Sequence, residues 1–337
     1  MRVLLLSRLF LSGQTTHVVS LARTLRRLGA SVALVAAGRI HPQAWHIYAP
    51  ELSREGVDCV HLRTRAEIPE TARRWAPDLL HCHSSDLLAA ACDAGEALKV
   101  PVVYTCHGLG LRARLADLKR AAAIIAVGPR VQQELSRAGI TASYLVGNGI
   151  DVEHFRPGRK ERELAVAYVG RIDSSKRRGL LELAHAIGVV PRAHLFVAGN
   201  EGVSAPRCTY LGWVRDVAPL LGRCHALFGT GRAIREGMAA GCVGFVLGQR
   251  YGGMVTPQAV RALLARPGGF PSFSGLEGSY PDRRELARDL IRFWQDEPAR
   301  LRLAQWSREF ACAHFSLAQV ARQTVEIYVQ AGARAAL

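Results

Sequence analysis

Two segments carry side chains whose types and spacing suit phosphate chemistry. In the first, the apolar run Val166-Ala-Tyr-Val169 meets the turn Gly170-Arg-Ile-Asp-Ser-Ser-Lys176 and then a helical pattern. In the second, the run Ala226-Leu-Phe228 meets Gly229-Thr-Gly-Arg232, and Glu236 follows in another helical pattern. Each reads as a buried strand, a turn of glycines and charges, and a helix. Such a turn presents free backbone N–H groups and a helix N-terminus at the carboxyl edge of a parallel sheet, where anionic ligands bind. Arg171 offers a planar fork for phosphate oxygens, and Lys176 a compact point charge. Cations held there stabilise a departing diphosphate as it gains negative charge in the transition state. Gly229 and Gly231 let backbone amides approach a sugar or phosphate, and Arg232 adds another cation. This set suits a ligand made of a diphosphate and a sugar, a nucleotide-sugar used as substrate with no separate cofactor.

A second group is rich in histidine. His81-Cys82-His83 ends one apolar run, and alternation along a strand puts the two histidines on one face. They read either as lining of a ligand site or as hydrogen-bonded structural histidines. With no third and fourth ligand nearby in sequence, no metal site is expected. Tyr104-Thr-Cys-His107-Gly108 ends another run, and Ser12-Gly-Gln-Thr-Thr-His17 follows the first. That loop lacks the Gly-x-Gly-x-x-Gly dinucleotide fingerprint, which disfavours a dehydrogenase. No Asp-x-Asp pair stands ready for a donor-bound metal.

These motifs resemble those of family 4 glycosyltransferases, a retaining group with the GT-B fold. Gly-Arg-x-Asp-x-x-Lys at 170–176 is similar to the family's donor-phosphate motif, and Glu-Gly-Met-Ala-Ala-Gly-Cys at 236–242 to its Glu-Ala-Met-Ala-x-Gly helix start. Gly147-Asn-Gly-Ile-Asp151 resembles its Asn-Gly-Val-Asp hinge. The resemblance implies Arg171, Lys176 and His107 as catalytic residues, with His107 near the reacting sugar carbon. It implies Gly13, Asn148, Gly170, Gly229, Gly231, Arg232 and Glu236 on the donor, Glu236 accepting ribose hydroxyls. Gln14, His17, His81 and His83 fall on the acceptor side. One departure stands out: the first glutamate of the family's Glu-x7-Glu motif is Phe228 here, and Gly229-Thr-Gly-Arg232 replaces the loop around it. That leaves two readings open, a variant enzyme and a scaffold that binds without transfer.

The elements needed to position these residues are legible in outline. Apolar runs alternate with helical patterns across 1–150, as in βαβ units with a parallel sheet. A stretch dense in charge with proline and glycine, 151–163, reads as a linker, and the alternation restarts over 164–315. Residues 284–331 read as helical, and the resemblance implies that 316–337 crosses back onto the first domain. The expected fold is α/β, GT-B, two Rossmann-like domains facing across a cleft. Asn148 and the glycines of Gly147–Gly149 permit left-handed backbone conformations, as a shaped hinge would use, and Gly252–Pro257 is expected to form a loop.

Bulk properties set the remaining bounds. At 337 residues, 49% of them apolar, the chain has room for two cores. No apolar run reaches the ~20 residues of a membrane span. The opening segment, with Arg8 inside its apolar run, reads as a first strand rather than a signal peptide, and a cytoplasmic location is expected. Eight scattered cysteines without a Cys-x-x-Cys pair fit reduced, buried thiols. The net charge of +16 has three readings: an arginine-rich composition with solvated helix faces, peripheral contact with an anionic membrane, or nucleic-acid binding. No recognition motif supports the third, so no specific nucleic acid is expected. Sugar, lipid-linked or small-molecule acceptors all remain compatible.

Overall fold

The computed structural model describes residues 1–110, 115–265, 273 and 278–333. They divide into two compact units, Met1–Gly149 with Leu317–Leu337, and Ile150–Ser316. The first unit runs β1 (Arg2–Ser7), α1 (Gly13–Arg27), β2 (Ser31–Ala37), α2 (Pro42–Arg54), β3 (Asp58–Leu62), α3 (Ile68–Trp75), β4 (Leu79–Cys82), α4 (Leu88–Leu98), β5 (Val102–Cys106), α5 (Leu115–Leu118), β6 (Ala123–Ala126), α6 (Pro129–Arg137) and β7 (Tyr144–Leu145). Its parallel sheet has the order β3-β2-β1-β4-β5-β6-β7. Helices cover both faces, so the central strands are apolar on both sides and read as continuous hydrophobic runs. One core holds Leu4, Leu6, Leu80 and Tyr104, and the core on the opposite face holds Val3, Leu5, Leu79 and Val103.

The second unit runs β8 (Leu164–Val169), α7 (Ser174–Val189), β9 (Ala193–Ala198), β10 (Cys208–Tyr210), α8 (Ala218–Arg223), β11 (Ala226–Gly229), α9 (Arg232–Ala239), β12 (Val243–Leu247), β13 (Tyr251–Met254), α10 (Pro257–Leu264), α11 (Arg283–Gln295) and α12 (Glu297–Phe315). Its sheet order is β10-β9-β8-β11-β12-β13. Helix starts follow local chemistry: Asp173, Thr256, Asp282 and Asp296 each cap a helix by accepting a backbone N–H. The last helix, α13 (Leu317–Gln330), belongs to the first unit. Its Val320, Ala321, Ile327 and Tyr328 pack into the core beneath α1.

Two expectations need correction, and the hinge residues use none of the freedom open to them: none of Gly147, Asn148 and Gly149 has positive φ. Gly149 is instead a close approach: a Cβ there would lie 2.8 Å from Leu317 Cα. The charged stretch after residue 150 is part of the second unit rather than a free linker. Gly158 N–H donates to Gly222 O, and Lys160 Nζ donates to the carbonyls of Cys224 and Ala240 at 2.6 and 3.1 Å. Residues 251–254, expected as loop, form β13, an antiparallel edge strand on β12.

The eight cysteines form no disulfide. Burial pushes the Cys82 thiol up to about 12 and that of Cys242 to about 11, which keeps them protonated and unreactive. No described helix is long and apolar enough to cross a membrane.

Candidate active site

In each sheet the strand order reverses at one point, between β1 and β4 in the first unit and between β8 and β11 in the second. Crevices at the carboxyl ends of such strand pairs hold ligands in open α/β sheets. Gln14 and His83 lie at the first of these points, and Gly170–Lys176 and Gly229–Glu236 at the second.

In the second unit, β8 and β11 are direct neighbours, with Val166 opposite Ala226 and Tyr168 opposite Phe228. The turns that leave them therefore lie side by side. Gly170 has φ of 148°, a conformation open to glycine, and its N–H donates to Ala198 O. The next residues are braced by a side chain that sequence reasoning missed. Asn200 Oδ1 accepts from Ile172 N–H at 2.7 Å, and Asn200 Nδ2 donates to Ile172 O at 2.9 Å. Its only sequence signal was its place just beyond the β9 strand end.

Asp173 then caps α7, and its carboxyl is held below the usual range by the Ser175 hydroxyl, with Lys176 helping. Lys176 Nζ folds over its own turn, donating to Arg171 O at 3.2 Å and to Asp173 Oδ2 at 3.3 Å. Arg171 is exposed and makes no ion pair or side-chain hydrogen bond among the described residues. The pair was expected as two fixed cations. Lys176 is fixed, and Arg171 is unengaged.

The second turn is shaped by glycine. A Cβ on Gly229 would come within 3.0 Å of Val169 O, and Gly231 starts α9 with φ of 58°. Glu236 is only 8% exposed, and burial raises its pKa while Arg232 lowers it. Arg232 Nε donates to Glu236 Oε1 at 2.6 Å. The cation expected to reach a diphosphate is thus joined to the carboxylate expected to take ribose hydroxyls, one helical turn apart. Arg235, not anticipated, is buried with its guanidinium over the Phe315 ring, and burial brings it down to about 10.

In the first unit, Ser12 caps α1, which begins at the exposed Gly13. Gln14 Nε2 donates to Ser84 Oγ at 2.9 Å and to Ser7 Oγ at 3.3 Å, tying α1 to the ends of β1 and β4. Ser7 and Ser84 were not foreseen. His81 does not line the site. It is fully buried, with Nδ1 2.6 Å from Tyr328 Oη and Nε2 2.7 Å from Thr105 Oγ1. Both ring nitrogens are spent on structure, which fixes α13 to the sheet.

His83, His17 and His107 do come together. His83 Nδ1 lies 3.0 Å from His107 Nε2, and the His17 ring stands 5.7 Å from that of His83 and 5.2 Å from that of His107. Burial holds His81 and His107 at about 3 and His83 well below its usual value, so all three are neutral at physiological pH. Asn148 is half-buried, one residue before the chain leaves the first unit at Gly149.

Two doubly wound parallel sheets of this kind make the GT-B glycosyltransferase fold. The family model described as Glycosyltransferase Family 4 matches residues 11–154, less than half of the chain and almost all of it in the first unit. Anabaena Alr3699/HepE, solved in complex with UDP-glucose, aligns with a TM-score of 0.74 at 17% identity, over 98% of this chain and 100% of that one. A glycosyltransferase from Rickettsia africae ESF-5 aligns with a TM-score of 0.75 at 16% identity, over 98% of each chain. Sucrose-phosphate synthase from Thermosynechococcus elongatus gives 0.68 at 18% identity, again over 98% of each. No curated protein matches the sequence.

Proposed function

We propose that this protein transfers a sugar from a nucleoside-diphosphate sugar, with uridine the first choice of base, to a hydroxyl acceptor with retained anomeric configuration. The observation that carries this reading is the pairing of the two turns at the β8–β11 edge, which sets Gly170–Lys176 beside Gly229–Glu236. Arg171, unengaged and exposed, is available for the diphosphate, and Lys176 is anchored beside it. In the reaction the bond between the anomeric carbon and the diphosphate oxygen breaks. The acceptor oxygen bonds to that carbon from the same face, and its proton passes to the leaving phosphate. Arg171 and Lys176 stabilise the charge that builds on the diphosphate. Glu236 takes the ribose hydroxyls once Arg232 turns from it toward the phosphates. The resemblance supports a role for His107 near the reacting carbon and for Gln14 and His17 toward the acceptor. That the HepE structure holds UDP-glucose in the same fold supports a uridine donor.

The basic charge favours a lipid-linked or cell-envelope acceptor met at the inner face of a membrane. The test is a panel of nucleotides and nucleotide-sugars read by thermal shift and by product analysis. Wild type is expected to be stabilised by one nucleoside diphosphate through mass action. Lys176→Ala and Arg171→Ala should fold normally and lose turnover by about 100-fold or more, in the range of removing one transition-state donor. Unchanged kinetics in Lys176→Ala would sink the assignment. Binding without transfer across all acceptors would move the scaffold reading to first place.

A further inference from the structure

The sequence offers two histidines at 81 and 83 and no reason to gather more. The fold replaces one of them and adds two. His81 turns into the core, while His17 from α1 and His107 from the end of β5 join His83. Each of the three rings offers one nitrogen, and these nitrogens all lie within 4.8 Å of one another. We propose that His17, His83 and His107 bind one divalent transition-metal ion of the zinc class.

Four observations support the site. The His83 Nδ1 to His107 Nε2 separation is 3.0 Å. Two nitrogens bound to tetrahedral zinc at ~2.0–2.1 Å stand about 3.3 Å apart, so this edge is close to its bound length. Drawing in the third nitrogen takes a ring movement of about 1.5 Å. Second, His83 is 1% exposed, so its ring is held among fixed neighbours rather than in water. Third, the three rings sit on a helix and two strand ends of one sheet, within the first unit alone. Fourth, packing around them is already built: His81 lies 4.0 Å from the His83 ring, and Tyr328 and Thr105 hold His81 in turn. A neighbour held on both sides in this way limits how far the His83 ring can turn.

The chemistry of the donor set selects the ion. Imidazole suits zinc, copper, cobalt and nickel, and magnesium and calcium prefer oxygen. With three neutral ligands the ion keeps its full double charge and a fourth position for water or a hydroxyl. This site shares none of its residues with the donor turns in the second unit, and zinc binding is measured without any transfer assay, so its failure is distinguishable from failure of the transferase reading, which uses His107 and His17 in another role.

The experiment uses full-length protein stripped with a chelator and titrated with zinc chloride by calorimetry, and with cobalt followed by visible absorption. One equivalent is expected, with the intense cobalt bands of a low-coordinate nitrogen site. His17→Ala and His107→Gln, checked for folding by circular dichroism, should each weaken zinc by about 100-fold or more. His314→Ala should not change it. X-ray absorption on the wild-type zinc complex needs no variant, so it decides the matter if the substitutions fail to fold. Three imidazoles on the ion support the site. Fewer than three, no stoichiometric binding, or full affinity in a folded His17/His107 double variant would overturn it.

Discussion

Replacing Arg308 with alanine should destabilise the second unit more than any change at its surface. Arg308 lies on α12, and its Nη1 is within hydrogen-bond distance of three carbonyls: Val152 at 2.7 Å, Phe155 at 2.7 Å and Ala239 at 2.9 Å. The first two belong to the stretch that opens the unit, and the third ends α9, the helix that carries Glu236. Nη1 has two protons, so three acceptors share two charge-assisted bonds. At roughly 1.5–3 kcal/mol each these give about 3–6 kcal/mol, and water entering beside Val152 recovers part of it. The expected loss is about 3–4 kcal/mol. The carbonyls are neutral, so the loss should persist in high salt, unlike that of a surface ion pair.

Urea denaturation is the assay, read by tryptophan fluorescence. Trp306 lies on the same helix and packs against Phe310, and Trp213 and Trp294 are in the same unit. A background with Trp45→Phe and Trp75→Phe silences the first unit. With a slope of about 2 kcal/mol/M, the midpoint of Arg308→Ala should fall by about 1.5–2 M. Arg308→Lys keeps the charge without the fork and should fall in between. A shift below about 0.5 M for alanine would refute the reasoning, because it would mean that these carbonyls are met by water.

Three further outcomes are expected. Gly237→Ala puts a Cβ 2.3 Å from Leu227 Cδ2 and 2.9 Å from its Cβ, so α9 must shift from β11; a loss of about 1–3 kcal/mol by denaturation and weaker nucleotide stabilisation should accompany it. Tyr328→Phe removes the hydroxyl that meets His81 Nδ1 in a fully buried site and should cost about 1–3 kcal/mol in the first unit, checked by fluorescence in a background lacking the second unit's tryptophans. His225 Nδ1 accepts the Ala165 N–H, and burial lowers its pKa from 6.5 to about 4. Its neutral form is the one the fold holds, so its contribution is complete above pH 6.5 and is lost as pH falls from 6.5 toward 4. A denaturation series across that window should show His225→Gln less pH-dependent than wild type.

How much of this was legible beforehand varies with the range of the interaction. Strands buried on both faces announce themselves as apolar runs, and β1, β5 and β8 stand in the sequence almost as they stand in the sheet. The two strand–turn–helix segments at 166–183 and 225–242 were readable as elements because an apolar run, a glycine-rich turn and a helical pattern follow one another in each. Helix α2 is hard to read from its residues because Pro50 interrupts its pattern, although the helix runs through it. β13 was missed because Gly252 and Gly253 have no strand preference, and only pairing with β12 makes them one. The partners of the histidines were beyond reach for a simpler reason: Tyr328 meets His81 from 247 residues away. Equally, the Arg232–Glu236 pair needs helix geometry and burial together, and neither is written in the loop that motivated interest in it.

The chain crosses between its units at two places, and the second unit itself holds them together. Ile150 N–H donates to Phe315 O at 2.8 Å, and Ile150 pairs with Ser316 as an isolated bridge. During synthesis the ribosome releases the first sheet long before α13 exists, so that sheet waits with the core under α1 lacking Val320, Ala321, Ile327 and Tyr328. Closing a flexible loop as long as the intervening segment would cost on the order of 4–5 kcal/mol. Once the inserted unit has folded, its own ends are a single hydrogen bond apart and α13 is delivered to the waiting sheet. The order of events is therefore nested: α13 docks only after the whole inserted unit has been made, and a chain ending before Leu317 would leave the first core short of one helix while the second unit keeps all of its residues.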